Sequence, residues 1–357
     1  MNNIQYKAVA APSTDRQLFN AKFSHDGKLL IAGSYQGDLR RFELTEDEPT
    51  ELTPFGNHHG WVQAFALHPT ENLIISGDSW GKLQAHDYTP ENPLPLWSLE
   101  DAHDGWIRSV AFSNTGEWFA TCGMDQIVRI FQTKNGKLRY ELQGHNADVY
   151  HVLIHPHDDS IVSADALGNV IHWDIKKNRP KRQFDASETF LAHRLQDVGG
   201  VQCMTWSPDG TTLLAGGTRP KNGATVQGIP ILIGFSWETT ERVFLKELGA
   251  TSDCYCEDVA YHPRGFLMAV TSGTPGTGKL QFLDSQTLDT AEPLFLLSNL
   301  SNCHSLDVHP DGEMIAVTTT VRGSNGNGRK VDADGNYIGN TSPIQLLTPD
   351  SPMKQPG

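Results

Sequence analysis

One phrase recurs seven times along the chain: an apolar residue, then Ser, His or a near substitute, a turn, and a second apolar run. It first reads Phe23-Ser24-His25-Asp26-Gly27-Lys28-Leu29-Leu30. It returns at Leu67-His68-Pro69, Phe112-Ser113-Asn114, Ile154-His155-Pro156, Trp206-Ser207-Pro208, Tyr261-His262-Pro263 and Val308-His309-Pro310. The anchors therefore lie at 23, 67, 112, 154, 206, 261 and 308, spaced 44, 45, 42, 52, 55 and 47 residues apart. A unit of this length cannot bury its apolar face alone. Stacking against its neighbours does so, which commits the whole chain to one repeat architecture.

Each unit has the same grammar. A strand ends at the anchor. A Pro-, Asp- and Gly-rich turn follows, where Pro presets φ and Gly accepts positive φ. A second strand then ends in small residues, as in Ile31-Ala32-Gly33-Ser34, Phe119-Ala120-Thr121-Cys122-Gly123 and Met268-Ala269-Val270-Thr271-Ser272. Third strands are expected at Leu39 to Leu44, Leu83 to Asp87, Ile127 to Phe131, Val170 to Asp174, Ile231 to Phe235, Leu280 to Asp284 and Ile344 to Leu347. A looser fourth strand completes the unit. Helical periodicity is scarce, with Ser187 to Val198 the best candidate for a short helix. Four strands per repeat of about 40–45 residues is the pattern of a β-propeller blade. The expected fold is all-β: a seven-bladed β-propeller of four-stranded antiparallel blades.

Ile4 to Val9 is a short alternating strand placed before the first blade. The grammar resembles that of the WD-repeat family, and the resemblance implies that this segment supplies the outer strand of the seventh blade and closes the ring, which leaves no bare sheet edge there. The reading is a single propeller over residues 1–348, with 349–357 a disordered tail.

Charge narrows the partners. There are 42 acidic against 28 basic residues, a formal net charge of −14. Phosphate backbones are bound mainly through Lys and Arg. An acidic chain without a basic block is thus expected to bind neither nucleic acid nor an anionic membrane. No apolar run reaches the length of a transmembrane helix. Met1-Asn2-Asn3-Ile4-Gln5-Tyr6-Lys7 has no apolar signal core. Five scattered cysteines then read as free thiols in a reducing compartment, and the expected location is cytoplasmic.

In this grammar the chain resembles the WD-repeat family over roughly residues 4 to 348. The resemblance implies a hydrogen-bonded set within each blade: a His before the first strand, a Ser or Thr on the second, an Asp in the next turn and a Trp on the third. His58, His103 and His145 each stand nine residues before an anchor. Thr121, Asp125 and Phe131 continue the set in the third blade, with Phe in place of Trp. Ser163 and Trp173 continue it in the fourth, where Leu167 takes the Asp place. The second blade has Ser76, with Trp80 and His86 at the Asp and Trp places. On this count no blade holds the full set, and the chain is a divergent member.

Several motifs imitate chemistry. Gly273 to Lys279 reads GTPGTGK, close to a phosphate-binding loop, but Leu280 takes the hydroxyl position and a strand pattern follows instead of a helix. Asp332-Ala333-Asp334-Gly335-Asn336 opens like a calcium loop, but Pro343 stands where the bidentate Glu belongs. Cys254, Cys256 and Cys303-His304 lack paired zinc spacing. Four histidines, His68, His155, His262 and His309, hold the repeat position after the anchor and are read as structural. No cofactor and no metal are expected.

Function is expected on the face that carries the loops entering each blade and those between its second and third strands. The longest such loops are Thr218 to Pro230, Ser272 to Lys279 and Val321 to Pro343, with the linker Ala186 to Gly200 beside them. Six residues before each anchor stand Gln17, Trp61, Trp106, Asp148, Gly200, Tyr255 and Asn302, which by family geometry ring the channel mouth on that face. Trp and Tyr dominate interface hot spots. Arg108 adds a charge at the rim. The expected function is a non-catalytic scaffold, monomeric in isolation, that binds a protein or peptide through Gln17, Trp61, Trp106, Arg108, Asp148, Tyr255 and Asn302. The competing reading is a propeller enzyme, a lactonase or other hydrolase, working at the channel mouth.

Overall fold

Every anchor is the last residue of an innermost strand: Leu18–Phe23, Val62–Leu67, Ile107–Phe112, Val149–Ile154, Val201–Trp206, Tyr255–Tyr261 and Cys303–Val308. The turn after it is made by a residue at positive φ in six repeats: Gly27, Gly116, Gly210, Gly265, Gly312 and, where no Gly is present, Asp159. The chain then zigzags outward. The first six blades each pair four consecutive strands in order, all antiparallel. The computed structural model describes residues 5–9, 12, 17–45, 48–193, 197–222, 227–273, 277–289, 292–320, 330–331, 337–338 and 342–350. The architecture is a seven-bladed β-propeller.

Tyr6–Val9 closes the ring. It pairs antiparallel with Ile344–Pro349, setting Tyr6 opposite Pro349 and Val9 opposite Leu346. Its seventh-blade sheet runs, from the outside inward, Tyr6–Val9, Ile344–Pro349, Ile315–Thr319 and Cys303–Val308. Tyr6 is buried with its ring 5.0 Å from Phe282 of the sixth blade, edge to face. The paired strand extends one residue past the expected end of the propeller, and 351–357 lie outside the described residues.

Burial falls from the middle of each blade to its rim. The second strand of the second blade, Leu73–Asp78, is buried at every position, whereas its outer strand Pro95–Leu99 is exposed or half-buried throughout. The cores lie between blades: Val162 and Phe184 of the fourth pack with Met204 and Phe235 of the fifth. The repeat histidines join blades on the far face. His155, His262 and His309 Nε2 stand 3.1, 3.0 and 2.9 Å from the turn carbonyls of Gly210, Gly312 and Gly27 in the next blade, the last contact spanning the ring seam. At His262 the other ring nitrogen accepts the Arg264 amide at 3.1 Å, so Nε2–H donates to Gly312 and the ring is neutral.

Two expectations are corrected. Ser187 to Val198 is not a helix. Ser187–Thr189 is a single 3₁₀ turn, and Phe190–Leu191 then pairs antiparallel with Val198–Gly199. A short segment gains too few internal bonds to nucleate a helix, and here it packs on the strand Thr212–Asn222 instead. Thr218 to Pro230 is not an open loop either. The two strands flanking it continue outward as a ladder from Thr218 opposite Pro230 to Asn222 opposite Gln227. Most of Val321 to Pro343, including the calcium-like Asp332 to Asn336, lies outside the described residues. Among the described residues no helix is long and apolar enough to cross a membrane.

Candidate functional site

The seven innermost strands enclose a channel with a cavity of about 360 Å³. The residues six before each anchor stand at equivalent places at one end of it. The carbonyls of Gln17, Trp61, Trp106, Asp148 and Asn302 accept hydrogen bonds from the amides of Tyr35, Ser79, Met124, Ala166 and Thr320, at 2.9 to 3.1 Å. Each donor lies twelve residues after an anchor. The bond ties the segment entering a blade to the turn between that blade's second and third strands, which fixes where the side chain beside it emerges.

The structure draws the two tryptophans together. Trp61 and Trp106 meet edge to face with ring centroids 5.6 Å apart. Two residues absent from the sequence reading complete the cluster. Tyr35 stacks on Phe19 at 4.0 Å and lies 4.7 Å from Trp61, and Phe19 is 6.4 Å from Trp106. A signal for Tyr35 does exist in the sequence: it is the one aromatic among the residues twelve after an anchor, otherwise Ser79, Met124, Ala166, Thr218, Gly273 and Thr320.

The cluster opens to solvent on one side. Trp61 is 43% exposed, Trp80 71% and Met124 50%. Gly60 is needed here for closeness: a Cβ on it would stand 2.5 Å from the Trp80 ring. Gly105 instead takes φ of +100°, which favours Gly. Arg108 packs its guanidinium 3.7 Å from the Trp106 ring centre and 5.3 Å from that of Tyr150, and donates to Gln63 Oε1 at 3.3 Å. Burial lowers the Arg108 pKa, while Tyr150 and Asp148 nearby raise it.

The other expected contact residues are less available. Gln17 is buried, and Asp148, Tyr255 and Asn302 are half-buried and outside the aromatic cluster. Burial pushes the Tyr255 hydroxyl up to about 12.

Deeper in the channel, carboxylates hold blades together. Asp258 accepts the Leu306 amide of the seventh blade at 3.0 Å, and Asp307 accepts the Phe23 amide of the first at 2.8 Å. Lys22 bridges to Asp307 at 3.1 Å. Glu257, pushed up to about 7 by burial, is hydrogen-bonded to Ser272. Lys279 of the phosphate-loop look-alike lies on a strand, its ammonium 2.7 Å from Asp253. Among the described residues no three His, Cys, Asp or Glu side chains gather where they could hold a metal ion.

The WD domain, G-beta repeat family matches residues 94–132, 136–174 and 186–219. The chain carries WD repeats. The chain is 28% identical over 152 residues to WD repeat-containing protein 55 of Mus musculus, across 42% of this chain and 39% of that protein. It is 26% identical over 191 residues to the target of rapamycin complex subunit wat1 of Schizosaccharomyces pombe, across 54% and 56%. It is 25% identical over 291 residues to the nuclear distribution protein PAC1 of Candida albicans, across 71% and 58%. The match spans less than two thirds of the length of each of these relatives.

In this WD-repeat propeller the hydrogen-bonded set is more complete than the residue count indicates. In the fourth blade His145 Nε2 meets Ser163 Oγ at 2.7 Å, Trp173 Nε1 donates to the same oxygen at 2.8 Å, and His145 Nδ1 meets Asp165 at 2.8 Å. The aspartate is present two positions earlier than counted, at the end of the second strand. Asp78 does the same in the second blade, 3.4 Å from His58, whose Nε2 is 2.8 Å from Ser76. In the third blade the acid keeps the later position: His103 lies 2.7 Å from Thr121 and 3.0 Å from Asp125, and Phe131 packs where a Trp would bond. The carboxylate reaches the imidazole from either site because the strand end and the turn both overhang it.

Proposed function

We propose that this WD-repeat propeller is a non-catalytic scaffold that binds a protein or peptide through the aromatic face at the channel mouth. The observation that carries this reading is the exposed Trp61 in ring contact with Tyr35, Phe19 and Trp106, with the exposed Trp80 beside Gly60 and the exposed Met124 beside Gly105. Large exposed apolar groups that touch one another have no core role, and such patches mark contact sites on soluble domains. Membership of a complex, carried in the name of the wat1 relative, agrees with it. The hydrolase reading gains less support, because Asp258 and Asp307 are occupied in joining blades.

The test pairs binding with stability. The immobilised protein is used to recover partners from its native host, and each is titrated by calorimetry. Trp61→Ala and Trp80→Ala are expected to weaken binding by about 2 kcal/mol each, the size of a hot spot, with little change in thermal midpoint. Trp106→Ala loses stability as well, because that ring lies under Arg108 and against Trp61. Parental affinity in both the Trp61 and the Trp80 variant overturns the proposal.

A further inference from the structure

The acidic balance of the chain conceals a local exception. Lys176-Lys177-Asn178-Arg179-Pro180-Lys181-Arg182 places five basic groups in seven positions, so the chain does hold a basic block. In the preceding blade Lys134, Lys137 and Arg139 occupy the corresponding turn and outer strand. Neither 134–139 nor 176–182 contains an acidic residue. These two stretches hold eight of the 28 basic residues, and the remaining 20 stand against all 42 acids. We propose that the outer rim of the third and fourth blades is a docking surface for an acidic, extended protein segment.

Geometry unites the two stretches. Both turns join the third strand to the fourth, so they open on the same face, opposite the aromatic mouth. The two blades pack on each other: a Cβ on Gly144, just after the outer strand of the third blade, would stand 3.1 Å from the Pro180 ring of the fourth. Lys134, Lys137, Lys176, Arg179 and Lys181 are exposed. Among the described residues none of these five lies within 4.0 Å of a carboxylate. Lys177 pairs with Asp174 at 3.5 Å and Arg179 also acts on that carboxylate, so one acid stands beside the stretch and most of its positive charge faces outward. The strand beneath is rigidly held, because Arg182 donates to the Glu238 and Trp237 carbonyls and packs 4.1 Å from the Trp237 ring centre. A preorganised surface loses less entropy on binding.

Edge protection is the simpler explanation for charge on an outer strand. It accounts for isolated charges such as Lys7 in Tyr6–Val9 or Arg242 and Lys246 in Arg242–Glu247, but not for five basic groups in seven positions, and Pro95–Leu99 and Phe295–Leu300 are outer strands with no Lys or Arg at all. A peptide is favoured over nucleic acid for two reasons. Leu138–Gln143 and Arg179–Asp185 end their sheets, so each presents unpaired backbone that an extended chain can bond. A long polyanion would also run off the island into the field of the acidic remainder. Together with the aromatic mouth, this surface would let one propeller hold two different partners.

The test uses the full chain and a fluorescent twelve-residue peptide of alternating Glu and Ser, titrated by anisotropy at low and physiological salt. Saturable binding that weakens with salt is expected. Lys176→Glu/Arg179→Glu/Lys181→Glu should reduce the affinity roughly tenfold or more, while Lys28→Glu on the first blade and Trp61→Ala leave it unchanged. A thermal melt of the triple variant confirms folding, and Lys134→Glu/Lys137→Glu gives an independent second variant. No saturable binding, or affinity indifferent to both sets of reversals, refutes the proposal. So does tighter binding of a single-stranded RNA of equal charge, or of phosphatidylserine vesicles, lost through the same variants.

Discussion

Replacing Asp165 with Ala isolates what the fourth blade gains from its complete set. The buried carboxylate accepts from His145 Nδ1 at 2.8 Å and from the amides of Leu167 and Asn169 at 3.0 and 2.9 Å. The Asn169 side chain adds contacts of 3.2 and 3.0 Å. Burial pushes this carboxyl up, but the hydrogen bonds from His145 and Asn169 outweigh it and hold the pKa below the usual value. Alanine leaves the buried imidazole N–H unpaired, at a cost of about 1–3 kcal/mol. The two amides lie nearer solvent and together add roughly 1–2 kcal/mol. A total of about 4 kcal/mol, against an unfolding entropy near 2 cal/mol/K per residue, corresponds to a midpoint about 5 °C lower for 357 residues. Differential scanning calorimetry of the parent, Asp165→Ala and Asp125→Ala provides the comparison. Asp125→Ala should cost less, because Asp125 serves a blade without the Trp and Arg129 keeps Glu141 as a second partner at 2.8 Å. A midpoint for Asp165→Ala equal to the parent, or above that of Asp125→Ala, refutes this account of the set.

Two further predictions concern the ring. Deleting residues 1–9 removes the outer strand of the seventh blade and uncovers Phe282 and Phe295 beside Tyr6, so the melt should broaden and solubility fall; an unchanged, sharp transition contradicts closure by Tyr6–Val9. Burial pushes His86, His151, His172, His262 and His304 down to about 4, so in the folded chain they stay neutral at pH values where an unfolded His, near 6.5, takes up a proton. The unfolded state binds more protons between those two values, and stability should decline as pH falls through that window, by on the order of 1.4 kcal/mol per pH unit for each His at most. Equal denaturant midpoints at pH 7.5 and 5 would remove this reading.

The repeat made the architecture legible because blade grammar is local. An anchor, a turn residue able to take positive φ and an apolar run are neighbours in the chain, and all seven inner strands end at the expected residue. Closure by the N-terminal strand was legible through the family resemblance, with a short alternating segment before the first blade and the cost of a bare sheet edge in its favour. Trp61 and Trp106 could be placed at equivalent sites by counting, since the hydrogen bond that fixes each loop repeats with the period.

What counting could not supply depends on atoms brought together across blades. Asp165 and Asp78 reach the imidazole from a strand end, so a rule tied to sequence position passed over them while distance did not. Phe19 and Tyr35 join the tryptophans because adjacent blades converge on the channel mouth, a consequence of ring curvature that no single repeat contains. The segment after Ser187 has the composition for a helix, and becomes a small hairpin because a neighbouring strand offers packing that a short helix cannot match. Charge behaves in the same way. A net value of −14 belongs to the composition, but two basic turns 42 residues apart come onto one face only because their blades are neighbours in the ring. Local backbone preference thus determined the strands and their number, and ring closure decided which side chains share a surface.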